Sequence, residues 1–400
     1  MPCPPLRAAV ALTLQCSALL GAVCAQSTLV VGPGGFAQIR DAVAVAAPGD
    51  VVVVQPGVYA HFTAQVACTI RAAVPGTVEV AVDPAFVSCS GFGCWFAGVT
   101  VLAPPAGTSM NVIGLRFRPD LVTVGGQFVY PGVAVQHGKV VFEDCAFAVQ
   151  GSSTLITGLY IDHTTAHLLR CTIEGSPFAS ISHTMRAVGA DLTMVDTSVR
   201  TSAGSLGGSG AALDLDGSRL HGSGITLEGI GGPALRCANS TVWLADSSIS
   251  SQQSASCVVQ LLGGAAPQLD RCTVTNPPGI TCATYPAATF LLGVQQTQPL
   301  QNGVALPLQL TTEANGLVGV IVGFGDGVSN VPGLLDQPLW LDPATAFVAA
   351  IAVADPLGHA TVPIAIPAGV QFVDRRLALQ GIGGAMLPLQ LSPRVGGVVR

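Results

Sequence analysis

Asp214 and Asp216 alternate with Leu213 and Leu215 in the segment ALDLDG. In an extended strand this alternation sends both carboxylates to the face opposite the leucines, about 7 Å apart. Two acids so placed can hold a divalent cation or flank a bond to be hydrolysed. Asp162 follows Tyr160 in the similar stretch GLYID, and Arg236 takes the matching place in ALRCA. A ring, carboxylates and a guanidinium on one surface suit a glycan-binding strip. Tyr160 would stack on a sugar, and Asp162, Asp214 and Asp216 would share a calcium ion. His163 and His183 fall on nearby loops, whereas His137 and His221 read as exposed residues in or near turns. The competing reading is an acidic, solvated face with no ligand.

These residues need a scaffold, and the sequence repeats one. Cys145, Cys171, Thr197, Ile225, Ser247 and Cys272 align in a column with spacings of 26, 26, 28, 22 and 25. Apolar residues recur at fixed offsets around it. Phe147, Ile173, Val199, Leu227, Ile249 and Val274 follow by two positions, and Phe142, Leu168, Met194, Leu244 and Leu269 precede by three. Farther back lie apolar pairs with one outward residue between them, such as Leu159 with Ile161 and Leu235 with Cys237. Each coil of about 25 residues therefore holds three short strands with inward side chains at period two. One coil cannot bury its own face, but parallel stacking at about 4.8 Å builds a continuous core. This pattern predicts a right-handed parallel β-helix. On ideal stacking Asp162 lies about 10 Å from Asp216, two coils away. Coil length varies after the column strand, where Gly/Ser runs such as residues 202–210 fall, so the loops gather on one side. The column cysteines are then small core residues with inert thiols.

Residues Phe36 to Ala47 read as a short amphipathic helix with Phe36, Ile39, Val43 and Ala46 on one face. Such a helix can cover the open end of the cylinder, where unpaired strand edges are a hazard. Pro48-Gly49-Asp50 stops it, and Val51 to Val54 begin the first coil. The run IRDAVAVAAPGDVVVVQPGVY, Ile39 to Tyr59, resembles the N-terminal cap and first turn of the pectate-lyase-like superfamily. With the repeats, the resemblance covers roughly residues 27 to 285. It implies an extended surface for polysaccharides. Active members use calcium-bridging carboxylates with an Arg or Lys base, or paired aspartates. The polygalacturonase signatures and the paired-aspartate pattern of pectin methylesterases are absent here, and Lys139, the single lysine, lies in a turn.

The remainder sets the context. Half of the 400 residues are hydrophobic, 10% are charged, and Gly (48) and Pro (28) are frequent, which fits short strands and turns. The formal net charge of −6 and a single lysine exclude nucleic acid as a partner. Residues 1–25 read as a secretory signal, with Arg7, an apolar run from Ala8 to Leu20 and cleavage after Ala25. No other stretch is long and apolar enough to span a membrane. Of the nine cysteines beyond that segment, none form a C-x-x-C pair, and Cys89 and Cys94 could join across a Gly-rich loop. Residues 26–285 form the predicted β-helix. Residues 286–400 carry about eight apolar strands and predict a small antiparallel β-sandwich, loosely similar to C-terminal modules of secreted environmental-bacterial proteins. Such a module could close the far end of the cylinder, attach the protein outside the cell or direct sorting. The sequence thus points to a secreted or cell-surface (extracellular or periplasmic) protein that binds a polysaccharide or cell-surface glycan without catalysis. The alternatives are a polysaccharide lyase or glycoside hydrolase acting on acidic glycans, and a structural or adhesive surface protein.

Overall fold

The computed structural model describes residues 26–81, 87–90, 93–96, 99–118, 129–148, 155–175, 183–201, 210–252, 257–282, 285, 291–324, 326–384 and 387–400. The expected signal segment and residues 202–209 lie outside them. Three parallel sheets of ten, nine and eight strands form the wall of a β-helix. Each coil enters through the third sheet, as in Leu213–Asp216, turns into the first, as in Arg219–Ser223, and turns again into the second, as in Thr226–Ile230.

Both turns are tight because they contain residues with a left-handed backbone. His137, His163, Gly189, Gly217 and Asn239 adopt it between the third and first sheets, and Gly114, Asp144, Arg170, Asp196, Gly224, Asp246 and Arg271 adopt it between the first and second. The small-residue column follows the second turn and has a job there. Thr197 and Ser247 hydroxyls donate to the carbonyls of Val195 and Ala245, two residues back, at 3.0 and 2.7 Å. They also accept the backbone N–H of Cys171 and Ile225 in the coil before. Cys145 and Cys171 direct their thiols to the equivalent carbonyls. A short side chain with one polar atom closes the corner, and burial holds the Cys145 thiol well above its usual pKa. The third connection, from second sheet to third, is where coil length varies.

The inward columns match their expected positions. Val140 and Phe142, Leu168, Leu192 and Met194, and Leu220 are buried in one core with Phe147, Ile173, Val199, Leu227 and Ile249. Phe117 stacks on Phe147 at 5.2 Å, continuing the column one coil earlier. The helix covers the end of this core but is shorter than expected, Ile39–Val45. Phe36 instead bridges to Val31, and Ile39, Ala42 and Val43 supply the buried face. Asp50 is what makes the stop: its carboxylate accepts the Ala47 and Ser27 N–H groups at 2.8 and 2.9 Å.

The last β-helix strand ends at Thr275, beside a disulfide between Cys257 and Cys282. Backbone register sets Cys89 opposite Cys94 in a hairpin, while their side chains lie outside the description. From Gly293 the chain forms antiparallel sheets of three and four strands plus a two-stranded ribbon. The final strand is Gln390–Val398, and Asp326–Ser329 pairs with Leu339–Leu341 in the ribbon.

The sandwich packs beside the coils. It lies along the outer face of the first sheet, and Leu169 and Val195 of that sheet belong to its core. Val294 N–H donates to the Ser223 hydroxyl, and Gln296 N–H to the Asp196 carboxylate. Glu143, 1% exposed, receives Arg170 at 2.8 Å and Arg400 at 3.0 Å, and Asp144 pairs with the same two arginines. This docking corrects the expectation for His221. It stands mid-strand, 1% exposed, against Trp243 rather than in an exposed turn. His167 likewise is buried beside Trp340 of the sandwich. His137 is an exposed turn residue as expected.

Candidate functional site

The expected strip lies on the outer face of the third sheet. Register places Tyr160, Arg186, Asp214, Arg236 and Gln260 on successive strands in one column. Asp162, Val188, Asp216 and Ala238 form the next column, so Asp162 and Asp216 are indeed two coils apart. The inward neighbours, Leu159, Ile161, Met185, Ala187, Leu213, Leu215, Leu235 and Cys237, fix this orientation by burial.

The chemistry differs from the expectation in one respect. Asp214 faces away from the core yet is only 4% exposed. Arg186 Nε lies 3.4 Å from Asp214 Oδ2, Arg236 Nε 3.7 Å from Oδ1, and His183 Nε2 3.4 Å from Oδ2. A carboxylate between two guanidiniums is a counter-ion, and this one is buried. The arginine side chains keep 40% and 36% of their surface exposed. The outer layer of the column is therefore cationic, with the acid beneath it.

Burial is the main influence on His183 and lowers its pKa, against the pull of Asp214. The ring is neutral at pH 7. Its Nδ1 accepts the Ala211 N–H at 3.1 Å, and its Nε2 lies 3.4 Å from both Asp214 Oδ2 and Arg236 Nη1. Both ring nitrogens are thus committed, and His183 holds Asp214 in place instead of offering a free base. Tyr160 is half-buried, and its pKa is raised by burial and then by Asp162. Asp162 pairs with exposed His163 at 2.6 Å.

Calcium has little to grip. Among the described residues no three His, Cys, Asp or Glu side chains converge as metal ligands. Asp214 is engaged by arginines, and Asp162 and Asp216 stand on non-adjacent strands. Asp162, Asp214 and Asp216 do not come together as one donor set among the described residues.

Arg186 was the residue missed by sequence reading. Its coil has Met185 and Ala187 as the apolar pair, and the small alanine hid the outward residue between them. His183 was noted, but its contact with Asp214 spans a coil and leaves no trace in spacing.

The architecture is a three-sheet parallel β-helix joined to an antiparallel β-sandwich. Solved structures similar to the chain include a pectin methylesterase from Aspergillus niger, at TM-score 0.41 and 14% identity over 65% of this chain and 91% of that one. Another is pectin methylesterase PemA from Erwinia chrysanthemi, at 0.38 and 11% over 66% and 92%. A third is an alginate lyase from a Paenibacillus species, at 0.29 and 11% over 62% and 99%. These likenesses concern the fold alone. No family model and no curated protein matches the chain.

Proposed function

We propose that the chain is a secreted or cell-surface protein that binds acidic polysaccharide along the Tyr160–Arg186–Asp214–Arg236 column, without catalysing its cleavage. The observation that carries this is the buried Asp214 between two half-exposed arginines. The buried acid holds both guanidiniums in place, so little side-chain freedom is lost when each meets a carboxylate or sulfate. They stand two strands apart, about 10 Å, on a flat sheet suited to an extended chain. Tyr160 at one end offers a ring to a sugar face. The commitment of both His183 nitrogens supports binding over elimination, since the column then lacks a free neutral base. Calcium is not required in this reading, because the cations are the protein's own.

The test is retention on gels containing pectate or alginate, with and without chelator. Arg186→Gln with Arg236→Gln should weaken retention about ten- to a hundredfold, the usual worth of charge-assisted hydrogen bonds. Retention equal to the unaltered protein would sink the column as the binding surface. Release of unsaturated or reducing ends would instead favour the lyase or hydrolase reading.

A further inference from the structure

The sandwich and the N-terminal coils leave a cleft of 480 Å³ between them, within the range of small-molecule sites and at a domain boundary where such sites collect. One wall comes from the first sheet, with Thr69 and Asn111, and the other from the 3₁₀ turn and following residues of the sandwich, with Gln371, Phe372 and Arg375. An ion pair at 3.0 Å between Arg71 and Asp374 ties the two walls together beside it.

The lining has a consistent chemistry. Asn111 is 8% exposed and donates through Nδ2 to Thr69 Oγ1 at 3.0 Å, while its Oδ1 has no hydrogen-bond partner. Whichever way the amide is turned, one of its ends is unmet. A buried amide left so costs about as much as a lost hydrogen bond, which a ligand hydroxyl would restore. Phe324 and Phe372 supply apolar faces at the rim, and Gln371 another amide. Asp374 is the one acid of the lining and is already paired with Arg71, whereas Arg375 is exposed and forms no ion pair among the described residues. Aromatic faces, amides and an uncompensated guanidinium form a set that recognises a sugar carrying an anionic group.

We infer that this interdomain cleft binds a terminal or short uronic-acid saccharide, at a site separate from the third-sheet column. Arg375 pairs with the carboxylate, Asn111 and Gln371 meet hydroxyls, and Phe372 packs on the ring face. Both domains contribute, so the docked sandwich completes the site.

Calorimetry on the full chain with trigalacturonate, and with neutral maltotriose as control, tests it. The background is Arg186→Gln with Arg236→Gln, which removes the column. In that background trigalacturonate should still bind with one equivalent, and maltotriose should bind at least tenfold more weakly. Adding Arg375→Gln, at an exposed position, should weaken trigalacturonate about ten- to a hundredfold, and Phe372→Ala should weaken it too. No heat in the column-deleted background overturns the cleft while leaving the column intact. So does affinity unchanged by Arg375→Gln. Equal binding of maltotriose overturns the acidic class of ligand. Loss of all binding by Arg375→Gln in the unaltered chain would keep the cleft and remove the column.

Discussion

Acid should loosen this protein through two buried histidines. His221 is 1% exposed and His61 is 6% exposed, and burial lowers their pKa values to about 3 and about 4 from 6.5. Each is therefore neutral in the folded chain and takes a proton in the unfolded one. The stability they supply is fully present above pH 6.5 and is lost as pH falls toward the folded values. At pH 5 each gap is about 1.5 pH units, or about 2 kcal/mol at 1.36 kcal/mol per unit. Together they remove about 4 kcal/mol between pH 7.5 and 5, a large share of an ordinary stability of roughly 5–15 kcal/mol. Glu143 works the other way. Burial raises its pKa, so its proton uptake on acidification favours the fold and blunts the effect. Urea unfolding at pH 7.5, 6 and 5, followed by fluorescence, measures the slope; Trp340 is buried against His167 and reports the docked sandwich. His221→Gln should remove about half of the pH dependence. A midpoint that is flat from pH 7.5 to 5, or an unchanged slope in His221→Gln, would refute the account.

Two further outcomes test the packing. Arg170→Met leaves buried Glu143 with Arg400 as its remaining cation and should destabilise docking by about 2–5 kcal/mol, seen as earlier proteolysis between residues 275 and 293. Cys145, Cys171 and Cys237 should resist a thiol reagent in the native protein at pH 8 and react on unfolding, since all are buried and burial pushes the Cys237 thiol up to about 12. Rapid native labelling of any of them would contradict the inward column.

The β-helix was legible because its signal repeats: the same period-two alternation recurs at the same offset in every coil. What was not legible is which outward face is covered. Period two assigns Val141, Leu169, Val195 and His221 to the outside of the cylinder, and their alternation partners are indeed inside. Yet all four are buried, and Leu169 and Val195 belong to the core of the sandwich. A trace was present. KVVFE, AHLLR and LTMVD are apolar on both faces, as strands covered on two sides are, whereas the second-sheet strands TIE and SVR alternate cleanly. In the candidate site the residue types were readable and the pairing was not. Asp214 and Arg236 lie 22 positions apart in sequence but on adjacent strands, and only the register makes one the counter-ion of the other.

The three outer faces divide the possible functions among themselves. The first sheet is occupied by the sandwich, so it is unavailable to a long polymer. The second sheet carries charges, but they cancel on the surface: Arg118 meets Glu79 at 3.4 Å and Arg200 meets Glu228 at 3.0 Å, pairs of little energetic weight. An anion arriving there would have to compete with a carboxylate of similar exposure. On the third sheet the competing carboxylate is beneath the arginines, and its buried position leaves their outer edges open. A chain of net charge −6 repels polyanions at long range, so binding them requires a local surface where cations outnumber acids and face outward. Burial of Asp214 provides that condition on the third sheet. The prediction is therefore steep in salt: counter-ions screen the weak long-range repulsion and the short-range attraction alike, and retention on pectate should fall as ionic strength rises past the point where the Debye length, about 8 Å at 0.15 M, drops below the spacing of the two arginines.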